Sequence, residues 1–349
     1  MRLSVLMVGV AAFLMSAGSV SVSRARADDV ETCNKGSGNA AIAACTRAIA
    51  SHKLTGRRLA QVYVSRGEGY RQLNDYDHSL ADLSQAIKSD PTYSGAWYSR
   101  GVTLYFMHDF EHAIEDYHEA IRLNPKDPSP FLNRCRAYVA MGDYDHAIAD
   151  ADHAFALGVS TFGERVAYDC RATAHYAKGD YNHAIADYTE VIRLDPKDAN
   201  AYFARGRLYL YTSALSKALA DFKQASELDP KSAYKALWLD IAERRNNIPS
   251  HLAQAAKQLD MTAWPAPVVR LFLGELRPAQ ALAAADDKDQ KTKQGQVCEA
   301  IFYTGELALL QGARADAARV FRLAASECPH GFVEWGAANA ELKALGAPQ

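Results

Sequence analysis

Three sets of residues in this 349-residue sequence have the types and the regularity that chemistry requires. Cys33, Cys45, Cys135, Cys170, Cys298 and Cys328 could be thiol nucleophiles, metal ligands or disulfide partners. His78, His112, His146 and His183 return at intervals of 34, 34 and 37 residues, and imidazoles in a row invite a metal. Arg66, Arg100, Arg134, Arg171 and Arg205 are each followed by an aspartate sixteen residues on, at Asp82, Asp116, Asp150, Asp187 and Asp221. A guanidinium and a carboxylate at fixed spacing make either an ion pair or part of an anion site. There is no Cys-x-x-Cys, no Gly-x-Ser-x-Gly elbow, no His-Glu-x-x-His and no phosphate loop. Without a nucleophile, base and oxyanion donors at recognisable spacing, the sequence reads as a non-enzyme, with no metal and no cofactor required.

The ladders are regular because the elements that carry them are repeated. Aligning Gly67, Gly101, Cys135, Ala172 and Gly206 brings a 34-residue unit into register five times, over 60–93, 94–127, 128–161, 165–198 and 199–232. Ser79, Ala113, Ala147, Ala184 and Ala218 follow at the twentieth position, and Ala86, Ala120, Ala154, Val191 and Ala225 at the twenty-seventh. Small residues at these places let two antiparallel helices approach closely. The turn between them is legible as Asn74-Asp75-Tyr76, His108-Asp109-Phe110, Gly142-Asp143-Tyr144 and Gly179-Asp180-Tyr181, and is weak only at Ser213-Ala214-Leu215. Phe162-Gly163-Glu164 is a three-residue insertion where the usual Asp-Pro stop is missing, and it predicts an altered angle or a lengthened helix.

A period of 34 with this spacing resembles the tetratricopeptide repeat, a helix-turn-helix unit whose faces are buried only by stacking. The fold class expected is all-α: a right-handed superhelical solenoid of such helix pairs with a C-terminal helical extension. In an antiparallel hairpin each Arg of the ladder meets an Asp within its repeat or across a junction, and packing is preferred over an anion site. Arg134→Ala is then expected to lower the melting temperature, since a partly buried Asp is left unpaired. Successive units lie about 10 Å apart, so the ladder histidines cannot readily share a metal at the roughly 2 Å bonds required; they read as solvated first-turn residues. Inner positions of the first helices supply Tyr98, Val102, Tyr105 and Phe106, then Leu132, Arg136 and Val139, then Asp169 and Tyr176, then Phe203, Arg207, Leu210 and Tyr211. That is an aromatic groove with a few charges, expected to hold an extended or helical segment of a partner. The Lys and Asn with which chaperone-docking relatives clamp a terminal carboxylate are missing from it.

Outside the five units, Met1 to Ala27 reads as a secretory signal: Arg2, an apolar run from Leu3 to Val20, and Ala25-Arg26-Ala27 as the cleavage site. A retained anchor is the rival, because the run nearly suffices to span a bilayer. No small-residue box precedes Cys33, so lipid attachment there is not expected. The net charge of −2, more acidic once Arg2, Arg24 and Arg26 leave, gives no reason to expect nucleic acid. Residues 28–59 read as a shortened N-terminal helix pair that places Cys33 and Cys45 on facing helices, where export makes a bridge reasonable. Residues 233–297 read as connecting helices and a loop, with Tyr234–Asn246 covering the end of repeat five, Pro249, Pro265, Pro267 and Pro278 opening short helices, and polar 286–296 as the loop, subdomain boundary and protease-sensitive stretch. A sixth repeat is read over 298–331 within a C-terminal segment 298–349. Its Cys298 and Cys328, at positions 1 and 31, should lie side by side and form a disulfide. Cys135 and Cys170 are simply the pair that remains. The last helix, 332–345, suits a cap with Val333, Ala337, Ala340 and Leu345 inside and Glu334, Asn339, Glu341 and Lys343 wet.

A narrower resemblance lies in the C-terminal half. Tyr234–Glu243, Val269–Gly274, Ile301–Gly305 and Phe332–Trp335 follow one another much as in the NlpI lipoproteins of the bacterial envelope. Similarity to that family implies a periplasmic, dimer-forming adaptor that brings an envelope protease and peptidoglycan hydrolases together. This sequence departs from the family in lacking the lipid-acceptor box, so the resemblance does not carry membrane tethering across. The alternative is a repeat module of another exported assembly, in secretion or polysaccharide export.

Overall fold

The computed structural model describes residues 29–329 and 332–346. The expected signal segment, with its cleavage after Ala27, lies outside the described residues, as do His330 and Gly331. All regular structure among the described residues is helical, and none of their helices is long and apolar enough to cross a membrane. Two compact units divide them: 29–141 with 153–158, and 142–152 with 159–346.

In the first unit, residues 29–35 (α1) and Gly38–Ala50 (α2) form the shortened pair, followed by the hairpins Gly56–Gln72 (α3) with Tyr76–Ser89 (α4) and Ser94–Phe106 (α5) with Phe110–Leu123 (α6), and then by Ser129–Met141 (α7). Tyr144–Leu157 (α8) contributes to both units. The second unit pairs Thr161–Ala177 (α9) with Tyr181–Leu194 (α10), and Ala199–Tyr211 (α11) with Leu215–Leu228 (α12). It continues through Ala233–Arg245 (α13) and the short Leu252–Ala255 (α14), Ala266–Phe272 (α15) and Pro278–Ala283 (α16). The long Gln290–Leu310 (α17) then pairs with Arg314–Glu327 (α18), and Val333–Ala344 (α19) comes last.

Every hairpin turn is made the same way. Asn74, His108, Gly142, Gly179, Ser213 and Gly312 all take positive φ, between 59° and 80°. That left-handed residue ends the first helix, and the next residue is the N-cap of the second. Asp75, Asp109 and Asp180 accept a backbone N–H from the histidine three residues on, and Asp143 does the same for His146. Ala214 and Ala313 cannot, so the fifth and sixth turns keep the geometry without the cap bond. Position 8 explains why the hairpins close so tightly. A Cβ on Gly101 would stand 2.8 Å from the Tyr117 ring, and one on Gly305 2.7 Å from Phe321. The ring of the second helix thus lies directly on the backbone of the first and is removed from water, worth roughly 2–3 kcal/mol per ring.

The three-residue insertion lengthens a helix, as one of the two expected outcomes. Gly158, at φ 76°, stops α8 in place of the missing Asp-Pro, and Ser160 then caps α9, which runs for 17 residues against 13 in α5 and α11. The loop expected over 286–296 is a correction. Asp289 caps Thr292, Lys293 pairs with Asp286 at 2.7 Å, and α17 begins at Gln290. A run of Gln, Lys and Thr is polar without being irregular: these residues accept a helix once capped. The stretch lies inside the second unit and bounds neither unit.

Candidate functional site

The arginine ladder is structural in a specific way. Arg66, Arg100, Arg171 and Arg205 each hold the aspartate of their own repeat with two nitrogens, Nε and Nη2, at 2.7–2.9 Å. The remaining Nη1 reaches back to the preceding helix pair: Arg66 to Thr46 Oγ1 at 2.9 Å, Arg205 to Thr189 Oγ1 at 3.0 Å, Arg171 to Asp152. Aromatic faces at Tyr63, Trp97, Tyr168 and Tyr202 lie against the same guanidinium groups. Asp82, Asp116, Asp187 and Asp221 are buried, so a fork of fixed geometry ties each hairpin and its junction together.

The ladder histidines are exposed, with their ring Nδ1 on the N-cap carboxylate at 2.7–2.8 Å. The Asp109 carboxylate raises His112, and the imidazoles of His78 and His183 in turn hold Asp75 and Asp180 below the usual carboxylate range.

The expected groove is open in one unit and filled in the other. In the first unit Tyr98, Val102 and Tyr105 rest half-buried on a core that includes Tyr117 and Ala137, and Asn133 Nδ2 donates to the Tyr98 hydroxyl at 2.8 Å. Leu132 and Val139 are half-buried, Arg136 is exposed, and Phe106 is 49% exposed beside Tyr105. Met107 and Met141, also exposed, flank a hollow of about 400 Å³ at the turn end of this face. These two methionines were absent from the expected set, which drew on inner positions of the first helices only as far as position 13.

In the second unit the corresponding face carries α19 of the chain itself, and this corrects the expectation of a free groove there. Tyr176 meets Gly336, where a Cβ would stand 2.9 Å from the hydroxyl. Arg207 is cradled by the rings of Tyr176 and Phe203, with its Nε and Nη1 shut off from solvent. Tyr211 stacks towards Tyr176 and meets Trp238 edge-on, while Leu210 is buried. Asp169 is half-buried. The cap reading of the last helix is likewise corrected: Glu341 is buried and bonded to Arg245, Glu334 is half-buried, and Val333 is exposed. A helix rich in small residues, Gly336-Ala337-Ala338, was the signal that both its sides are covered.

Cys33–Cys45 and Cys298–Cys328 are bonded, with Cα separations of 4.8 and 5.5 Å. Cys135 and Cys170 are both buried.

Comparison with known proteins agrees with this geometry. Family models described as tetratricopeptide repeat match residues 60–93, 94–127 and 199–232, and one described as TPR repeat matches 172–212. The structure of PilF from Pseudomonas aeruginosa is similar over 62% of this chain and 97% of its own, at 15% identity and a TM-score of 0.55. That of PilW is similar over 57% of this chain and 90% of its own, at 19% identity and a TM-score of 0.51. The described residues are all-helical, and 60–127 and 172–232 are built as tetratricopeptide repeats, units of protein-interaction scaffolds. None of the matching models describes a catalytic domain.

Proposed function

We propose that this protein is an exported scaffold of the bacterial envelope that holds a segment of a client protein on the open face of α5 and α7. The observation that carries the reading is internal: the same face of the repeats in the second unit already holds a helix, α19. The face of α5 and α7 offers comparable chemistry, namely Phe106, Met107 and Met141 exposed, the Arg71 guanidinium over the Phe106 ring, Tyr98 and Tyr105 half-exposed, and Arg136 exposed to set register against acidic side chains. Aromatics supply apolar area with few rotamers to freeze, and methionine adapts to varied partners. The leader-like start and the two disulfides support export. The resemblance of 234–243, 269–274, 301–305 and 332–335 to the NlpI lipoproteins supports an adaptor between an envelope protease and peptidoglycan hydrolases, with a dimer as its working form.

The test is affinity capture from periplasm with the parent protein and with Phe106→Ala/Arg136→Ala. Both side chains are exposed, so the double variant should melt within about 1 kcal/mol of the parent and lose the captured proteins. Retention of every partner would place binding on another face. Partners drawn from secretion or pilus assembly, with no protease or hydrolase among them, would favour the module reading, the setting in which PilW, a type IV pilus biogenesis factor, works.

A further inference from the structure

We propose that His175, Asp180 and His183 form a site for a divalent transition metal, with zinc as the best fit, that staples the turn between α9 and α10. One donor atom from each of the three lies within 4.8 Å of the others. His175 stands in the last turn of α9, Asp180 is the N-cap of α10, and His183 is in its first turn. The left-handed Gly179 between them brings the two helix ends together. Asp180 Oδ2 is 2.7 Å from His183 Nδ1 and 3.7 Å from His175 Nδ1. With bonds of about 2.0–2.1 Å, neighbouring donors around zinc stand about 3.0–3.4 Å apart. The two distances straddle that range; the two ring nitrogens lie within 4.8 Å of each other, and because a metal sits in the plane of each imidazole that binds it, one of the two stacked rings must turn out of the stack to close the site.

Comparison among the repeats separates this arrangement from ordinary packing. Position 11 is Tyr70, Leu104, Tyr138 and Tyr209 in the other four repeats, and His175 only in the fourth. Tyr70 stacks on His78 with ring centroids 5.1 Å apart and 28° between planes; His175 stacks on His183 at 5.1 Å and 24°. Tyrosine therefore meets the packing requirement. An imidazole in its place adds a second nitrogen beside the carboxylate that already holds the first. At 3.7 Å it makes no hydrogen bond to Asp180, so that nitrogen is not committed to the cap. His183 and Asp180 side chains are 71% and 41% exposed, which leaves room for water at the remaining coordination positions. His183 would bind through Nδ1 with its proton on Nε2, where solvent can accept it. Two imidazoles and one carboxylate are a donor set that zinc takes well. The ladder histidines still share no metal with one another, because the second nitrogen comes from outside the ladder.

The test uses the mature full chain without a polyhistidine tag, stripped with chelator and titrated calorimetrically with Zn²⁺, and separately with Co²⁺ followed by visible absorption. The proposal expects one tight equivalent per chain. His175→Tyr, which keeps the stack seen in the first repeat, should weaken zinc binding more than about tenfold while the metal-free melting temperature stays put. His112→Ala, removing a ladder histidine paired only with its cap, should leave the affinity unchanged. No saturable equivalent below millimolar Zn²⁺, or equal affinity in His175→Tyr, would overturn the assignment, and so would loss of binding in His112→Ala.

Discussion

Arg66, Arg171 and Arg205 each join three elements: their own helix, the partner helix through a bidentate aspartate, and the preceding pair through Nη1. Arg205 is the fullest case, with Asp221 at 2.8 Å twice, Thr189 at 3.0 Å, and the faces of Tyr202 and Tyr209 alongside. Truncating it strands a buried carboxylate, so Arg205→Ala should lower unfolding free energy by about 3 kcal/mol, measured by urea denaturation. Arg205→Lys should recover less than half of that loss, because an ammonium cannot reproduce the fork. Arg205→Ala/Asp221→Ala should be more stable than Arg205→Ala alone, since no charge is left unpaired. If instead stability is unmoved and partner capture disappears, the ladder is an anion site. The residue types were legible in the sequence, and so was their pairing as Arg with Asp, which lies inside one repeat. The reach of Nη1 across each junction was not, because it depends on where the preceding helix pair sits.

Among elements, α19 departs furthest from its sequence pattern. It is clasped by a buried charge cluster in which Arg245 of α13 donates to Glu306 of α17 at 2.6 Å and to Glu341 of α19 at 3.0 Å. One guanidinium serves two carboxylates, and Glu306 is wholly buried. Burial pushes Glu306 up from its ordinary 4.5 to about 8, against the pull of Arg245, and burial raises Glu334 to about 7. A carboxyl whose folded pKa lies above its unfolded one contributes stability that is whole below the unfolded value and is lost as pH rises through the folded one. The second unit should therefore lose ~2 kcal/mol or more between pH 5 and pH 8.5. Glu306→Gln should flatten that slope, leaving stability at pH 5 nearly unchanged and raising it at pH 8.5. A slope that persists in Glu306→Gln would assign the pH dependence to other groups. Helices with a one-sided pattern, α4, α6 and α10, were legible from spacing alone. The last helix was misread because its glutamates look solvated in a linear pattern, while a third element, α13, supplies the cation that permits the burial of Glu341.

At the scale of the whole molecule, the repeats set a common frame and the two units use it differently. Four stretches beyond the repeats, 234–243, 269–274, 301–305 and 332–335, converge on one core: Trp238, Phe272, Phe302, Tyr303 and Trp335 all pack in it. Its distinctive residues thus build the structure that seats α19, whereas the open face of the first unit is written in less distinctive ones. Nearest-neighbour stacking made the repeats readable from their period; the order of contacts beyond residue 232, where the period breaks, was not. If α19 is an occupant of the repeat face, a chain ending at Gly331 should keep its hairpins, exposing Tyr176, Arg207 and Tyr211. A synthetic peptide of residues 332–346 should then bind it saturably in trans, followed by fluorescence anisotropy. Leu342, 1% exposed, anchors the helix, and Leu342→Ala in the peptide should weaken binding by about 30-fold or more, the equivalent of losing about 2 kcal/mol of buried side chain. The intact chain, whose face is already filled, should bind the peptide far more weakly. A truncated chain that retains its helical circular dichroism yet ignores the peptide would show that the face receives no segment in trans and that α19 is simply part of the unit's core.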